Sequence, residues 1–320
     1  MGQRVIVIGA GQWGKNLVRT FNELHALAAV AEFDKGLRES LSVNYPDIPL
    51  YEDYKEAIAK TESAGVVIAT PAHTHYEVAV YALEAGKDVF VEKPITLSSH
   101  DANELIAIAE RHQRILMVGH LLMYQPAIQK MKSLIDQGVI GALKSLHQER
   151  MKLGRVRSVE NVLWSFGVHD IAVFLYLIGQ PPRALSVSGQ AILQLDIEDD
   201  VYLHLSFNNG ISAHLHTSWL WPELRRRLVA VGDCGMLVYD EERQTVTLHR
   251  KGVRSDLSNW DDGCEVVFEG ADQPLKLECA HFLECITERK QPISDGANGL
   301  EVIRILEEAS KSLKGLNRDE

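Results

Sequence analysis

The chain has 320 residues, 46% of them hydrophobic and 24% charged. That balance excludes a disordered chain, and the length suggests two domains that bury their own cores without disulfides or metals. Lys and Arg number 33 against 44 Asp and Glu, a net charge of −11, which argues against a nucleic-acid partner. The apolar run at residues 171–178 is too short to span a bilayer, so no membrane segment is expected. The first apolar run stops at Gly9, so no secretory leader is expected. Gly2 opens a myristoylation pattern, but Ile6 stands where Ser or Thr is required. Cys234, Cys264, Cys279 and Cys285 form no CxxC pair, and reduced thiols in a cytoplasmic protein are the expectation.

In chain order, residues 4–8 form a continuous apolar run, the mark of a strand buried on both faces. A glycine-rich turn follows, then a helix at 14–24 and a second strand at 28–31. Residues 50–54 read as a short edge strand and 54–60 as a helix. A buried strand at 65–70 ends at Pro71, and the helix at 76–85 closes at Gly86, a natural C-cap. The strand at 88–91 runs into Glu92-Lys93-Pro94, and a helix at 98–112 and a strand at 115–119 complete the set. This βαβ alternation predicts an α/β Rossmann domain, a doubly wound parallel sheet, over residues 1–120.

The pattern then changes. A helix at 126–137 ends at Gly138, and residues 162–178 contain a buried helix ended by Gly179. Residues 184–268 read as alternating strands, with turns at Asn208-Asn209-Gly210 and at Gly232 to Gly235. Helices at 275–289 and 299–313 close the chain, and residues 317–320 are expected to fray. Residues 121–320 are thus predicted to form an α+β domain with an open, mostly antiparallel sheet.

The motif Gly9-Ala-Gly11-Gln12-Trp13-Gly14 follows a strand and opens a helix, the context a GxGxxG phosphate loop needs. Gly9 permits the turn, Gly11 lets a pyrophosphate approach the backbone, and Gly14 allows close helix–strand packing. Glu32 ends the second strand, where a carboxylate can accept from ribose hydroxyls and repel a 2′-phosphate, so the expected cofactor is NAD. Asp34 reads as a solvated strand-end charge. Lys93 lies at the carboxyl end of a parallel strand, where ligands of open α/β sheets bind. His169 opens an apolar helix and can serve as a general base or as a structural hydrogen-bonding residue.

Arg155 and Arg157, in a glycine-containing loop, either clamp a diphosphate or form a solvated basic loop. Arg225, Arg226 and Arg227 alternate along a strand and read as structural or interfacial. His73 with His75 and His214 with His216 have strand-like spacing, but no nearby Cys or carboxylate completes a set, so no metal is expected.

Together, the GxGxxG loop, Thr70-Pro71 with His75, Glu92-Lys93-Pro94, His169-Asp170 and the run from His281-Phe282 onward resemble the Gfo/Idh/MocA family over nearly the whole chain. The resemblance implies an NAD(P)-dependent oxidation or reduction of a sugar or cyclitol carbon, with a C-terminal sheet that serves substrate binding and homo-oligomerisation as dimer or tetramer. It implies catalytic roles for Lys93 and His169. It places Gln12, Trp13, Thr70, Pro71, His75, Glu92 and Trp164 at the cofactor.

Many members carry Asp four residues before the catalytic His; here the position is Ser165. That neutral residue, with Tyr124, Arg155 and Arg157, is similar to the branch acting on nucleotide-linked sugars. The implied reaction is oxidation of the 3-hydroxyl of UDP-N-acetylglucosamine, with a downstream aminotransferase as partner. The alternatives are the corresponding uronate, an inositol or free sugar, or a non-catalytic NAD-binding regulator.

Overall fold

The computed structural model describes residues 3–270 and 273–316, so Gly2 and the tail expected to fray at 317–320 lie outside the described residues. Two compact units emerge. The first comprises Met1–Leu121 with Gln273–Ile303, the second Leu122–Asp272 with Arg304–Glu320. The first thus recruits a C-terminal segment that the division at residue 120 assigned to the other domain.

The first unit is built on six parallel strands: β1 (Val5–Ile8), β2 (Leu27–Ala31), β3 (Leu50–Tyr51), β4 (Gly65–Ile68), β5 (Asp88–Glu92) and β6 (Leu116–Gly119). Their order, β3-β2-β1-β4-β5-β6, reverses direction between β1 and β4. Every residue of β1, β2, β4, β5 and β6 is buried, as continuous apolar runs require when helices cover both faces. The covering helices are α1 (Gly14–Glu23), α2 (Lys35–Asn44), α3 (Tyr54–Lys60), α4 (His75–Glu84), α5 (Ser99–Arg111) and, from far along the chain, α8 (Pro274–Glu288).

The sequence reading did not contain α2. Only Leu41 of its ten residues is buried, so no apolar stripe announces it. Its start is fixed by Asp34, whose side chain accepts from the Leu37 amide at 2.8 Å. Asp34 is therefore more than the solvated strand-end charge expected: it is exposed and also an N-cap.

In the second unit α6 (Pro126–Asp136) and α7 (Val168–Ile178) accompany eight strands: β7 (Leu143–Met151), β8 (Ala184–Gln190), β9 (Asp200–Ser206), β10 (Ser212–Ser218), β11 (Arg225–Gly232), β12 (Met236–Asp240), β13 (Thr245–Val253) and β14 (Asn259–Glu269). Their order is β14-β13-β12-β11-β7-β10-β9-β8. Only the β7–β10 pair is parallel. The last helix, α9 (Gly296–Leu316), is divided between the units at Ile303.

β7 was absent from the sequence reading although it lies inside the sheet. Its buried positions include Gln148 and Arg150, so the alternation that marks a strand is not an alternation of hydrophobicity. Arg150 explains how a charge survives there. Its Nε donates to both oxygens of Asp170 on α7 at 2.8 Å, and its Nη2 donates to Glu241 at 3.1 Å. Arg226 of β11 donates to the other oxygen of Glu241 at 2.8 Å. This network fixes the first turn of α7 to the sheet.

Removing one partner of a buried ion pair leaves the rest uncompensated, at a cost of about 3–5 kcal/mol. Arg150→Met should lower unfolding free energy by roughly that amount in urea titration. A loss near zero would show that the network does not hold α7.

Candidate active site

The loop between β1 and α1 is set by contacts that exclude side chains. Gly9 has φ 88°, and a Cβ on Gly14 would lie 2.0 Å from the Gly9 carbonyl oxygen. Gly11 is the opposite case: a Cβ there would meet nothing within 4 Å, so its open side faces space. No side chain caps α1, which leaves its N-terminal dipole available to an anion.

Beside this loop lies a cavity of about 590 Å³, lined by Gly9, Gly11, Glu32, Tyr54, Thr70 and Pro71 among others. Glu32 is locked at its wall: one carboxylate oxygen accepts from the Ala10 amide at 2.6 Å, the other from the Asp34 amide at 2.8 Å. A carboxylate retains further lone pairs, so a ribose diol can still donate to it. The cavity opens at the carboxyl ends of the strands, on the switch point between β1 and β4, where such sheets bind dinucleotides. The residues present fit NAD.

At the end of β5 the side chains separate. Lys93 is half-buried, and Glu92 is only 8% exposed. Glu92 Oε1 accepts from Trp13 Nε1 at 2.5 Å and its Oε2 from the Lys93 amide at 3.3 Å. Glu92 and Trp13 therefore hold the phosphate loop to the Lys93 loop.

His75 is likewise buried between loops. It is 1% exposed, its Nδ1 lies 2.8 Å from the Pro94 carbonyl and its Nε2 2.9 Å from the Thr70 carbonyl. The ring lies between the β4 and β5 loops, and burial holds its pKa below the ordinary value, so the neutral imidazole donates to one of these two carbonyls. Thr70 accepts from the Thr74 hydroxyl at 2.7 Å, while Pro71 and Gln12 are exposed.

In the second unit a π-helical turn, Leu163–Gly167, leads into α7. Such turns recur at functional sites because they re-aim the side chains that follow. Asn161 starts it, accepting from the Trp164 amide at 3.2 Å, and its own amide donates to Glu198 at 2.7 Å. Trp164 Nε1 donates to Ser310 at 2.9 Å. Ser165 is buried, and His169, half-buried, is the second residue of α7, directly before the Asp170 that Arg150 clamps. Tyr124 is 1% exposed, in the turn before α6. Arg155 is exposed, and Arg157 Nε lies 3.8 Å from Glu160.

Two expectations about basic residues meet different outcomes. Arg225 and Arg226 serve Glu223 and Glu241, as a structural reading requires. His216, expected to lack a nearby carboxylate, lies 3.1 Å from Asp200 of the adjacent strand. Among the described residues no group of three or more His, Cys, Asp or Glu could hold a metal ion. All four cysteines are free. No helix among the described residues is long and apolar enough to cross a membrane.

One group escaped the sequence reading. Glu278 is fully buried in α8, on a face it shares with Cys279, Phe282 and Cys285. Its position on an apolar helical face was the available signal.

A dinucleotide fold followed by a lysine at the β5 end and an open antiparallel sheet defines a nicotinamide-dependent oxidoreductase. Residues 3–120 match the family model described as the oxidoreductase family with NAD-binding Rossmann fold, and 128–238 match the GFO/IDH/MocA C-terminal domain. The chain belongs to the Gfo/Idh/MocA family and binds NAD. It is 27% identical over 302 residues to UDP-N-acetylglucosamine 3-dehydrogenase of Acidithiobacillus ferrooxidans, covering 94% of each chain. A solved structure of that enzyme superimposes with a TM-score of 0.88 at 26% identity, over 98% of this chain and 99% of the other. The chain is also 25% identical over 309 residues to scyllo-inositol 2-dehydrogenase (NAD(+)) of Bacillus subtilis, covering 91% and 88% of the two chains.

The fixed Glu32 carboxylate predicts cofactor discrimination. A 2′-phosphate brought against it costs more than about 1.4 kcal/mol, a factor of ten, at contact distance and intermediate dielectric. Fluorescence titration should show NADH bound at least tenfold tighter than NADPH, and Glu32→Ser should shrink that ratio. Equal affinities in the unaltered protein refute the role of Glu32.

Proposed function

We propose that this protein is an NAD-dependent dehydrogenase that oxidises the 3-hydroxyl of UDP-N-acetylglucosamine. The observation that carries this reading is the match, along nearly the full length of both chains and in fold, to an enzyme named for that reaction. The neutral Ser165 and the basic pair Arg155 and Arg157 support it, since arginine forks suit a diphosphate. The likeness to an inositol dehydrogenase supports a second reading, an alcohol of a free cyclitol or sugar. The uronate of the same sugar nucleotide is a third.

When bound, the nicotinamide supplies the hydride acceptor. In this reading Lys93 donates a hydrogen bond to the reacting hydroxyl and stabilises the alkoxide character that develops as hydride leaves carbon. His169 takes the hydroxyl proton. Arg150, through Asp170, keeps the first turn of α7 in place so that the imidazole does not have to be ordered during reaction. Tyr124 and Ser165 contact the substrate. The product is a ketone, the substrate class that an aminotransferase consumes. The protein acts in the cytoplasm as a homo-oligomer.

The test is NADH formation, followed by absorbance, with UDP-N-acetylglucosamine, its uronate, free N-acetylglucosamine and scyllo-inositol. Turnover of the nucleotide sugar with competitive inhibition by UDP supports the proposal. Turnover of the free sugar or the inositol alone replaces it with the second reading. General-base catalysis is worth about 10²–10⁴-fold, so His169→Asn should lower kcat by that factor while NAD affinity stays the same. Lys93→Met should lower kcat in the same way. A folded His169→Asn enzyme with undiminished kcat refutes the base assignment.

A further inference from the structure

The underside of the β5 loop holds a second carboxyl group that the proposed chemistry leaves without a task. Three pairings fix how α8 lies on β5. Arg289, just past the end of α8, donates to Asp88 at the start of β5 at 2.6 Å. Phe282 meets Phe90 edge-on, with ring centroids 5.6 Å apart. A Cβ on Gly65, which pairs with Asp88, would lie 3.1 Å from Ile286. The helix therefore runs antiparallel to the strand.

From Phe90, two residues along the strand lead to Glu92 on the same face, a rise of about 6.6 Å. From Phe282, four residues back along the helix lead to Glu278 on the same face, also about 6 Å. The two steps point the same way, so Glu278 arrives beneath Glu92.

No described residue neutralises Glu278. It is 0% exposed, and neither carboxyl oxygen has a hydrogen-bond partner among the described residues. Glu92 is occupied by Trp13 and the Lys93 amide, and Gly119 closes in so tightly that a Cβ there would sit 2.9 Å from Glu92 Oε2. His120, the next residue, is 1% exposed with both ring nitrogens unpartnered among the described residues. Burial and the nearby Lys93 charge push its pKa down to about 3, so it brings no positive charge. Burial and the charges of Glu278 and Glu92 raise the Cys279 thiol, which stays protonated. The ionisable groups facing one another are thus Glu92 and Glu278, with Lys93 a cation beside Glu92.

Two carboxylates in such a place do not both ionise readily. Burial raises Glu92 against the pull of Trp13 and Lys93, and burial with the Glu92 charge raises Glu278 well above the carboxylate range. The missing partner of Glu278 is then a proton.

We propose that Glu92 and Glu278 form a proton-holding pair whose occupancy follows the charge of the nicotinamide: NAD⁺ displaces a proton from the pair, and NADH does not. β5 belongs to the second mononucleotide half of the sheet, beyond the switch point from Glu32, so the pair underlies the half that receives the nicotinamide. The balance is simple. The protonated protein and NAD⁺ give the complex and a free proton, and the pair is reprotonated once the ring is neutral. By linkage, NAD⁺ affinity rises with pH across the range in which the pair titrates, and NADH affinity stays flat. A displacement of one pKa unit in the pair corresponds to a tenfold change in NAD⁺ affinity between the two limits.

The experiment needs no sugar substrate. Calorimetric titration of the whole protein with NAD⁺ and with NADH, in buffers of different ionisation enthalpy, counts the protons released. Difference infrared spectroscopy reads the carbonyl stretch of a protonated carboxylic acid before and after each nucleotide. Proton release and loss of that band with NAD⁺ but not NADH, both abolished in Glu278→Gln, are the expected results. Equal release with both nucleotides, no release from the unaltered protein, or undiminished release in Glu278→Gln overturns the proposal. Should Glu278→Gln fail to fold, the infrared band of the unaltered protein decides: an unchanged band on NAD⁺ binding overturns it.

Discussion

The approach of Gly14 to Gly9 is the constraint from which the cofactor half of the molecule follows. With 2.0 Å between a hypothetical Cβ and the Gly9 carbonyl oxygen, α1 can begin only where two glycines let backbone lie against backbone. That closeness aims the α1 N-terminus along the carboxyl ends of β1 and β4, where a dinucleotide phosphate meets amides and dipole together. It also fixes Trp13, the residue before Gly14, within reach of Glu92. A steric rule in one loop thereby reaches the strand that carries Lys93.

The groups around Lys93 are organised by burial more than by exposure. His75 between two carbonyls and Glu92 between an indole and an amide determine where neighbouring loops run. The second unit uses the same device with charges: Arg150 holds Asp170 and Glu241, and His169 takes its position from the clamped turn. In both units the residue proposed for chemistry, Lys93 or His169, is half-buried and its chain neighbour is buried and bonded. Positioning by a fixed neighbour lowers the ordering cost of the reacting group.

Much of this was legible in the sequence where the physics is periodic. Continuous apolar runs announced β1, β4 and β5, and the spacing Gly9-Gly11-Gly14 announced the phosphate loop. β7 was hidden because Gln148 and Arg150 replace apolar residues on its inward face, and the partners of Arg150, Asp170 and Glu241, lie farther along the chain. α2 was hidden for the opposite reason, having almost nothing to bury. The roles of Glu92 and His75 as braces depend on tertiary partners that no local spacing encodes. The same is true of Asp200, which meets His216 only because β9 and β10 pair in that register.

The return of α8 to the first unit has a consequence for how the chain is made. Asp88, Phe90 and Gly65 take their partners Arg289, Phe282 and Ile286 from residues synthesised about two hundred positions later. During translation at about 5–20 residues per second, one face of the finished β-sheet therefore waits on the order of ten seconds or more for its cover. Through that interval the nascent dinucleotide fold exposes an apolar surface around Phe90 and a buried-type carboxylate, Asp88, with no cation. Its completion falls after most of the second unit has left the ribosome.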